Sequence, residues 1–234
     1  MKAIICNNYG ALENLIYEES EAPKINDPDD VIIKVESCGV NFPDGLLVQG
    51  KYQHKPETPF VPGMEVSGKI FSLGSNVKEF VIGDKVAGLT QLGGYAEITK
   101  VNKQSVYKMP NSMNYDEACA LLCAYGTSHY ALKQRAKIKN GETLVVLGAS
   151  GSTGIAAIQI GKIYGAKVIA ASSSKEKQDF TEKLGADISI GYENLRDDLK
   201  KITNGKGVDI IFDPVGGSLF ETSSRALARY GRIL

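Results

Sequence analysis

From Leu144 to Phe212 the sequence alternates short apolar, β-branched runs with amphipathic stretches of about ten residues, and that alternation leaves few architectures open. The runs Leu144–Leu147, Lys167–Ala171, Asp187–Ile190 and Val208–Phe212 read as strands, while Thr153–Tyr164, Lys175–Leu184 and Leu195–Thr203 read as helices. Such βαβ units predict a parallel sheet with helices on both faces. Up to about Lys108 the pattern is different. The β-type runs Ala3–Cys6, Val31–Ser37, Val66–Leu73, Lys85–Leu89 and Tyr95–Thr99 are separated by Gly, Pro, Asn and Asp, which predicts an all-β region with irregular loops. A helical pattern begins at Asn114, with Asp116 and Glu117 near its positive end and Ala118, Leu121, Leu122 and Tyr125 at helical spacing. The expected domains are therefore 1–122 and 123–234. Gly231–Leu234 reads as the opening of a fifth parallel strand where a doubly wound dinucleotide fold carries about six, so the sequence reads as cut short at its C-terminus.

Composition removes several functions. With 43% hydrophobic and 23% charged residues, 234 residues can bury a substantial core. Lys+Arg and Asp+Glu balance at 27 each, so no positive field recruits nucleic acid and no polybasic run holds an anionic membrane. The cysteines Cys6, Cys38, Cys119 and Cys123 form no Cys-x-x-Cys pair and fit reduced thiols. The first residues are too short an apolar run for a signal peptide, and no segment approaches the ~18 apolar residues of a membrane span. These features predict a soluble, cytoplasmic protein.

The stretch Val145–Gly154, VVLGASGSTG, joins a strand to a helix. Its glycines fit G-x-x-G-x-x-G through Gly148, Gly151 and Gly154, or A-x-G-x-x-G beginning at Ala149. Gly151 lets a pyrophosphate approach the main chain, Gly154 lets the helix sit close to the strand, and the helix N-terminus offers free N–H groups. Ser150, Gly151, Ser152, Thr153 and Gly154 are thus expected to bind a dinucleotide; the bland alternative is a tight connection with no ligand. At the end of the second strand, where an acid would grip a ribose hydroxyl, stand Ser172, Ser173 and Ser174, with Lys175 and Lys177 just beyond. A 2′-phosphate suits that segment, so the expected cofactor is NADPH, with Ser173 and Lys177 as its contacts.

The segments Cys38–Tyr52, Pro59–Gly68, Gly83–Gly88, Gly93–Glu97, Ala124–Leu132 and Val208–Gly217, taken with the glycine turn, resemble the medium-chain dehydrogenase/reductase superfamily in its zinc-free, ζ-crystallin-like quinone oxidoreductase branch. The resemblance implies an α/β chain in which a GroES-like β domain is followed by a doubly wound Rossmann domain, with the active site in the cleft between them. It also implies that the family continues beyond Leu234 and that the complete chain is a homodimer. If the 234 residues are the entire molecule, an exposed apolar sheet edge, poor solubility and weak dimerisation are expected.

At the positions where zinc-carrying relatives place Cys, His and Cys, this sequence has Asn41, Met64 and Cys123, a poor donor set for tetrahedral zinc. No metal is expected, and Cys119 and Cys123, one helical turn apart, read as small core residues. The resemblance makes Asn41 a hydrogen-bond donor to the substrate oxygen and Tyr52 a second donor and aromatic wall. Thr127, Val215 and Gly216 match positions beside the nicotinamide and its ribose, and Tyr192 a position beside the 2′-phosphate. Two departures stand out: Ser152-Thr153 replaces the usual Gly-Val, and Leu46 replaces a tyrosine, which makes the acceptor pocket more aliphatic. The implied activity is NADPH:quinone oxidoreduction with a small quinone or conjugated carbonyl as substrate. An enone or enoyl-thioester reductase is the neighbouring alternative, a non-catalytic NADPH-binding protein the alternative of another class, and a zinc alcohol dehydrogenase the remotest.

Overall fold

The computed structural model describes residues 1–234, which divide into two units, Met1–Cys123 and Ala124–Leu234. In the first, β1 (Lys2–Ile5) pairs antiparallel with β2 (Ile16–Glu19). Beside this hairpin, β3 (Asp30–Cys38), β4 (Glu65–Leu73), β5 (Lys85–Leu89), β6 (Ile98–Asn102) and β7 (Val106–Lys108) form an antiparallel sheet in the order β6-β3-β4-β5-β7. Its core is built by alternate residues of each strand, among them Val31, Ile33, Val66, Ile70 and Val101.

Two sequence expectations are corrected here. The strand expected at Tyr95–Thr99 begins at Ile98, because Gly93 at φ +91° and Gly94 carry the loop onward; Thr99 and Val101 are the residues turned inward. The region is also not purely β. Helix α1 (Phe42–Val48) lies between β3 and β4, with proline in its first turn, where a missing N–H costs nothing.

Helix α2 (Tyr115–His129) starts with a reciprocal cap in which Glu117 N–H donates to Asn114 Oδ1 and Asn114 N–H donates to Glu117 Oε2.

The second unit is a parallel sheet in the order β10-β9-β8-β11-β12. Its elements are β8 (Thr143–Leu147), α3 (Ser152–Ile163), β9 (Lys167–Ala171), α4 (Lys175–Lys183), β10 (Ile188–Ile190), α5 (Leu195–Ile202), β11 (Val208–Phe212), α6 (Gly217–Ser224) and β12 (Leu227–Ile233). Side chains of β8 alternate between two cores. Leu144 and Val146 face Ala156, Ala157 and Ile160, while Val145 and Leu147 join Leu195 and Leu199 on the other side. The fifth strand starts at Leu227 rather than Gly231, and its pairing with β11 shifts register between Val208 and Ile210. No helix is long and apolar enough to cross a membrane.

Arg232 fixes β12 to the turn before β8. Its guanidinium donates to both Glu142 oxygens, at 2.9 and 2.8 Å, and to the carbonyls of Ala136 and Asp209. Those bonds from Arg232 hold the Glu142 carboxyl below its ordinary 4.5. A lowered folded value contributes stability that is complete above the ordinary glutamate range and is lost as pH falls through the lowered one. Arg232→Ala is expected to destabilise the chain by about 1–3 kcal/mol at neutral pH, because a carboxylate loses a bidentate partner. Urea titrations should show that deficit shrinking in acid; a deficit of constant size would contradict the pairing.

Candidate functional site

The chain leaves β8 through Gly148, whose φ of +59° suits glycine, and the turn closes with Gly151 N–H donating to the Gly148 carbonyl at 2.9 Å. Gly151 is the N-cap of α3 and has no side chain to cap the helix, so the first-turn N–H groups are left for another acceptor. With the helix dipole, they make an anion site. The two later glycines serve different ends. A Cβ on Gly154 would stand 2.6 Å from the Gly148 carbonyl oxygen and 2.8 Å from Ala149 main-chain atoms, so Gly154 is there for helix–strand packing. A Cβ on exposed Gly151 would meet only the Gly148 oxygen, at 3.3 Å, so what Gly151 keeps open is space above the turn. This is the cradle a pyrophosphate needs.

Other expected residues gather around it. Val215 Cγ2 would lie 2.8 Å from a Cβ on Gly148, which brings the loop after β11 over the turn. Asp213 Oδ1 shapes that loop by accepting from the N–H groups of Val215 and Gly216, at 2.9 and 2.8 Å. Both loops leave the sheet at β8 and β11, where the direction of strand order reverses and such folds hold ligands. Tyr192 Oη accepts from Gly148 N–H at 3.2 Å and donates to the Ala171 carbonyl at 3.3 Å; burial raises its pKa and so keeps the donated proton in place. Ser152 is exposed, and Ser150 and Thr153 are half-buried. Buried Ser128 donates to the Thr153 carbonyl at 2.8 Å, and exposed Thr127 precedes it on α2.

Ser173 and Lys177 form a separate pair at the start of α4, with Lys177 Nζ 3.2 Å from Ser173 Oγ and both side chains exposed. Ser174 caps the helix by accepting Lys177 N–H, and the hydroxyl of buried Ser172 has no hydrogen-bond partner. The Tyr192 bond to Ala171 ties the end of β9, from which these serines follow, to the glycine turn. Sequence reasoning missed Asp213, Ser128 and Ser174; the Asp-Pro-Val-Gly run after a strand was the available signal for the first.

In the first unit, Asn41 is the N-cap residue of α1. Its Nδ2 donates to Glu65 Oε1 at 2.8 Å, and its backbone N–H donates to Asp44 Oδ2 at 2.8 Å. Glu65 is 2% exposed, and its second oxygen accepts the Cys123 N–H at 2.7 Å. Asp44, 3% exposed, also accepts from Tyr95 Oη at 2.9 Å, and its Oδ1 has no partner. Burial pushes the Asp44 carboxyl above the usual range. Burial, reinforced by the charge of Glu65, pushes the Cys119 thiol up to about 12 and Cys123 higher still.

Tyr52 and Met64 are half-buried against the cluster of Cys6, Leu47, Val48 and Phe60. The three positions that would hold catalytic zinc are thus engaged elsewhere. The Asn41 amide N–H is held by Glu65, the Met64 thioether packs in an apolar cluster, and burial raises the pKa of the Cys123 thiol. These residues do not fit the metal, and no group of three His, Cys, Asp or Glu side chains is gathered to hold one.

An antiparallel β unit followed by a parallel α/β unit with a glycine turn at its first strand defines a GroES-like domain joined to a Rossmann domain, the plan of medium-chain dehydrogenases and reductases. The alcohol dehydrogenase GroES-like domain family matches residues 27–111, and the zinc-binding dehydrogenase family matches residues 152–234. All of the chain aligns with 64% of quinone oxidoreductase-like protein 2 homolog of Nematostella vectensis at 38% identity, and with 72% of human quinone oxidoreductase at 33%. Among solved structures, quinone oxidoreductase from Thermus thermophilus, determined also in complex with NADPH, superposes at a TM-score of 0.87 with 30% identity over the full chain and 72% of its own. CurK enoyl reductase superposes at 0.89 with 28% identity, covering 99% of this chain and 72% of its own. The chain belongs to the quinone oxidoreductase-like family of the medium-chain dehydrogenase/reductase superfamily. It spans about two thirds of the length of the curated relatives it matches.

Proposed function

We propose that the chain carries the cofactor and acceptor sites of an NADPH-dependent oxidoreductase that reduces quinones. The observation that carries the reading is the uncapped N-terminus of α3 behind Gly151, with the Ser173–Lys177 pair at the end of β9 where an acid would repel a 2′-phosphate. NADPH, when bound, supplies the hydride. In this reading, residues Ser150 to Gly154 hold the pyrophosphate through main-chain N–H groups. Lys177 and Ser173 take the adenosine 2′-phosphate, with Tyr192, its hydroxyl held between Gly148 and Ala171, standing beside it, and Thr127, Val215 and Gly216 border the nicotinamide end. One Asn41 amide N–H is held by Glu65; the other is the donor offered to the acceptor oxygen as negative charge develops on it. Tyr52 supplies an aromatic wall.

A second reading, reduction of an enone or enoyl thioester, is favoured by the likeness to CurK enoyl reductase. The same donor would steady an enolate oxygen. Steady-state rates with a naphthoquinone, an alkenal and crotonyl-CoA separate the two, and turnover of none of them overturns both. Lys177→Ala is expected to weaken NADPH by about one to two decades with NADH nearly unchanged. Equal losses in calorimetric titrations with the two cofactors would remove Lys177 from the phosphate site.

A further inference from the structure

We propose that Glu65 is a positioning residue that fixes the Asn41 amide in the one orientation able to present a donor to the acceptor. The inference rests on the oxidoreductase reading for its kinetic consequence but not for its geometry. Asn41 has a carbonyl and an NH₂ at nearly equal reach, and a free amide could turn either toward a substrate. Glu65 removes that freedom: both its oxygens are accepting, one from Asn41 Nδ2 at 2.8 Å and the other from the Cys123 main chain at 2.7 Å. Turning the Asn41 carbonyl toward Glu65 would set oxygen against oxygen at hydrogen-bond distance beside a buried carboxylate, so that orientation is closed. One N–H is thereby committed and the other is left in a fixed direction.

The surroundings are built for this carboxylate. A Cβ on Gly39 would stand 2.1 Å from Glu65 Oε1 and 2.7 Å from its Cγ and Cδ, so the side chain occupies space that only glycine leaves free. Asp44 holds the other end of the same residue by accepting the Asn41 backbone N–H. Asn41 is therefore clamped at main chain and side chain by two buried acids from different elements, α1 and β4. Glu65 itself makes no step in the reaction; it acts through Asn41, as partners behind a metal ligand act through the ligand.

The test is a double-mutant cycle on the chain saturated with NADPH, with a naphthoquinone as acceptor. Glu65→Gln offers an NH₂ that lets Asn41 turn, and is expected to lower kcat about tenfold or more with little change in NADPH affinity. In an Asn41→Ala background the same substitution is expected to cost nothing further, whereas a merely structural role would cost as much in both. Gly39→Ala, which displaces the carboxylate without changing its chemistry, should reproduce the loss. Equal losses from Glu65→Gln in both backgrounds overturn the proposal. A ¹⁵N spectrum tests the clamp without turnover: the Asn41 side-chain amide should show one downfield, slowly exchanging proton that Glu65→Gln abolishes. Absence of that signal in the unaltered chain sinks the clamp even if quinone is reduced, and its presence in a chain that reduces no acceptor sinks the oxidoreductase reading and spares the clamp.

Discussion

Gly154→Ala is expected to lower the thermal unfolding midpoint of the chain by about 4–8 °C, and Gly151→Ala to leave it in place while weakening NADPH about tenfold. The two glycines stand three residues apart in one motif, so the contrast isolates what each is for. In a helix, alanine is favoured over glycine by about 1 kcal/mol, and on propensity alone Gly154→Ala should stabilise. Against this, the new methyl group would sit 2.6 Å from the Gly148 carbonyl oxygen and 2.8 Å from two Ala149 main-chain carbons. No side chain can swing aside, because every clashing atom is main chain in the turn that ends β8. Overpacking costs about 1–3 kcal/mol and belongs at the upper end here, which leaves a net loss of roughly 2 kcal/mol. That corresponds to about 2–4 °C per kcal/mol for a chain of this size. At Gly151 the added carbon meets one oxygen at 3.3 Å and otherwise faces solvent, so the fold tolerates it. The same carbon stands where a pyrophosphate must approach, and a repulsion of about 1.4 kcal/mol there is a factor of ten in affinity. Differential scanning calorimetry with and without NADPH reads both effects. A Gly154→Ala chain as stable as the parent, or a Gly151→Ala chain with parental affinity, would refute the assignment.

The second unit was far more legible than the first. Strands such as Lys167–Ala171 and Val208–Phe212 are buried on both faces, so their apolar residues run consecutively and their edges coincide with the ends of hydrophobicity. The fifth strand was expected only from Gly231, and its start at Leu227 escaped because Arg229, Tyr230 and Arg232 interrupt the apolar run, with Tyr230 at φ +68° and a register shift in its pairing. In the first unit, α1 is two turns long and includes Pro43 and Gly45, so no helical period had room to show. The glycine turn was legible because close approach has a direct compositional mark. Glu65 was not, since a single acid in Gly-Met-Glu-Val reads as an exposed strand residue, and only the fold reveals that it is buried between Asn41 and the Cys123 main chain. Asn41 was found only through resemblance; nothing in its local sequence separates a substrate donor from an ordinary helix cap.

Asn41→Ala is expected to lower kcat with a quinone acceptor by about 10²–10³, the usual effect of deleting one donor to a developing oxyanion, with NADPH affinity unchanged. The substitution that decides the mechanism is Asn41→Asp, which keeps the shape and loses the NH₂. Its new oxygen would face Glu65 Oε1 at the distance now spanned by a 2.8 Å hydrogen bond, and two carboxylates so placed share a single proton. That proton is held between them, so no second hydrogen remains for the acceptor, and loss of the proton at higher pH adds repulsion without restoring a donor. An amide does what an acid cannot here, because it carries two hydrogens on one nitrogen: one satisfies Glu65 and the other is available to substrate. Asn41→Asp should therefore be as slow as Asn41→Ala at neutral and higher pH, with KM for NADPH unmoved. If Asn41→Asp turned over a naphthoquinone at the parental rate at neutral pH, the donor would have to be sought in another residue.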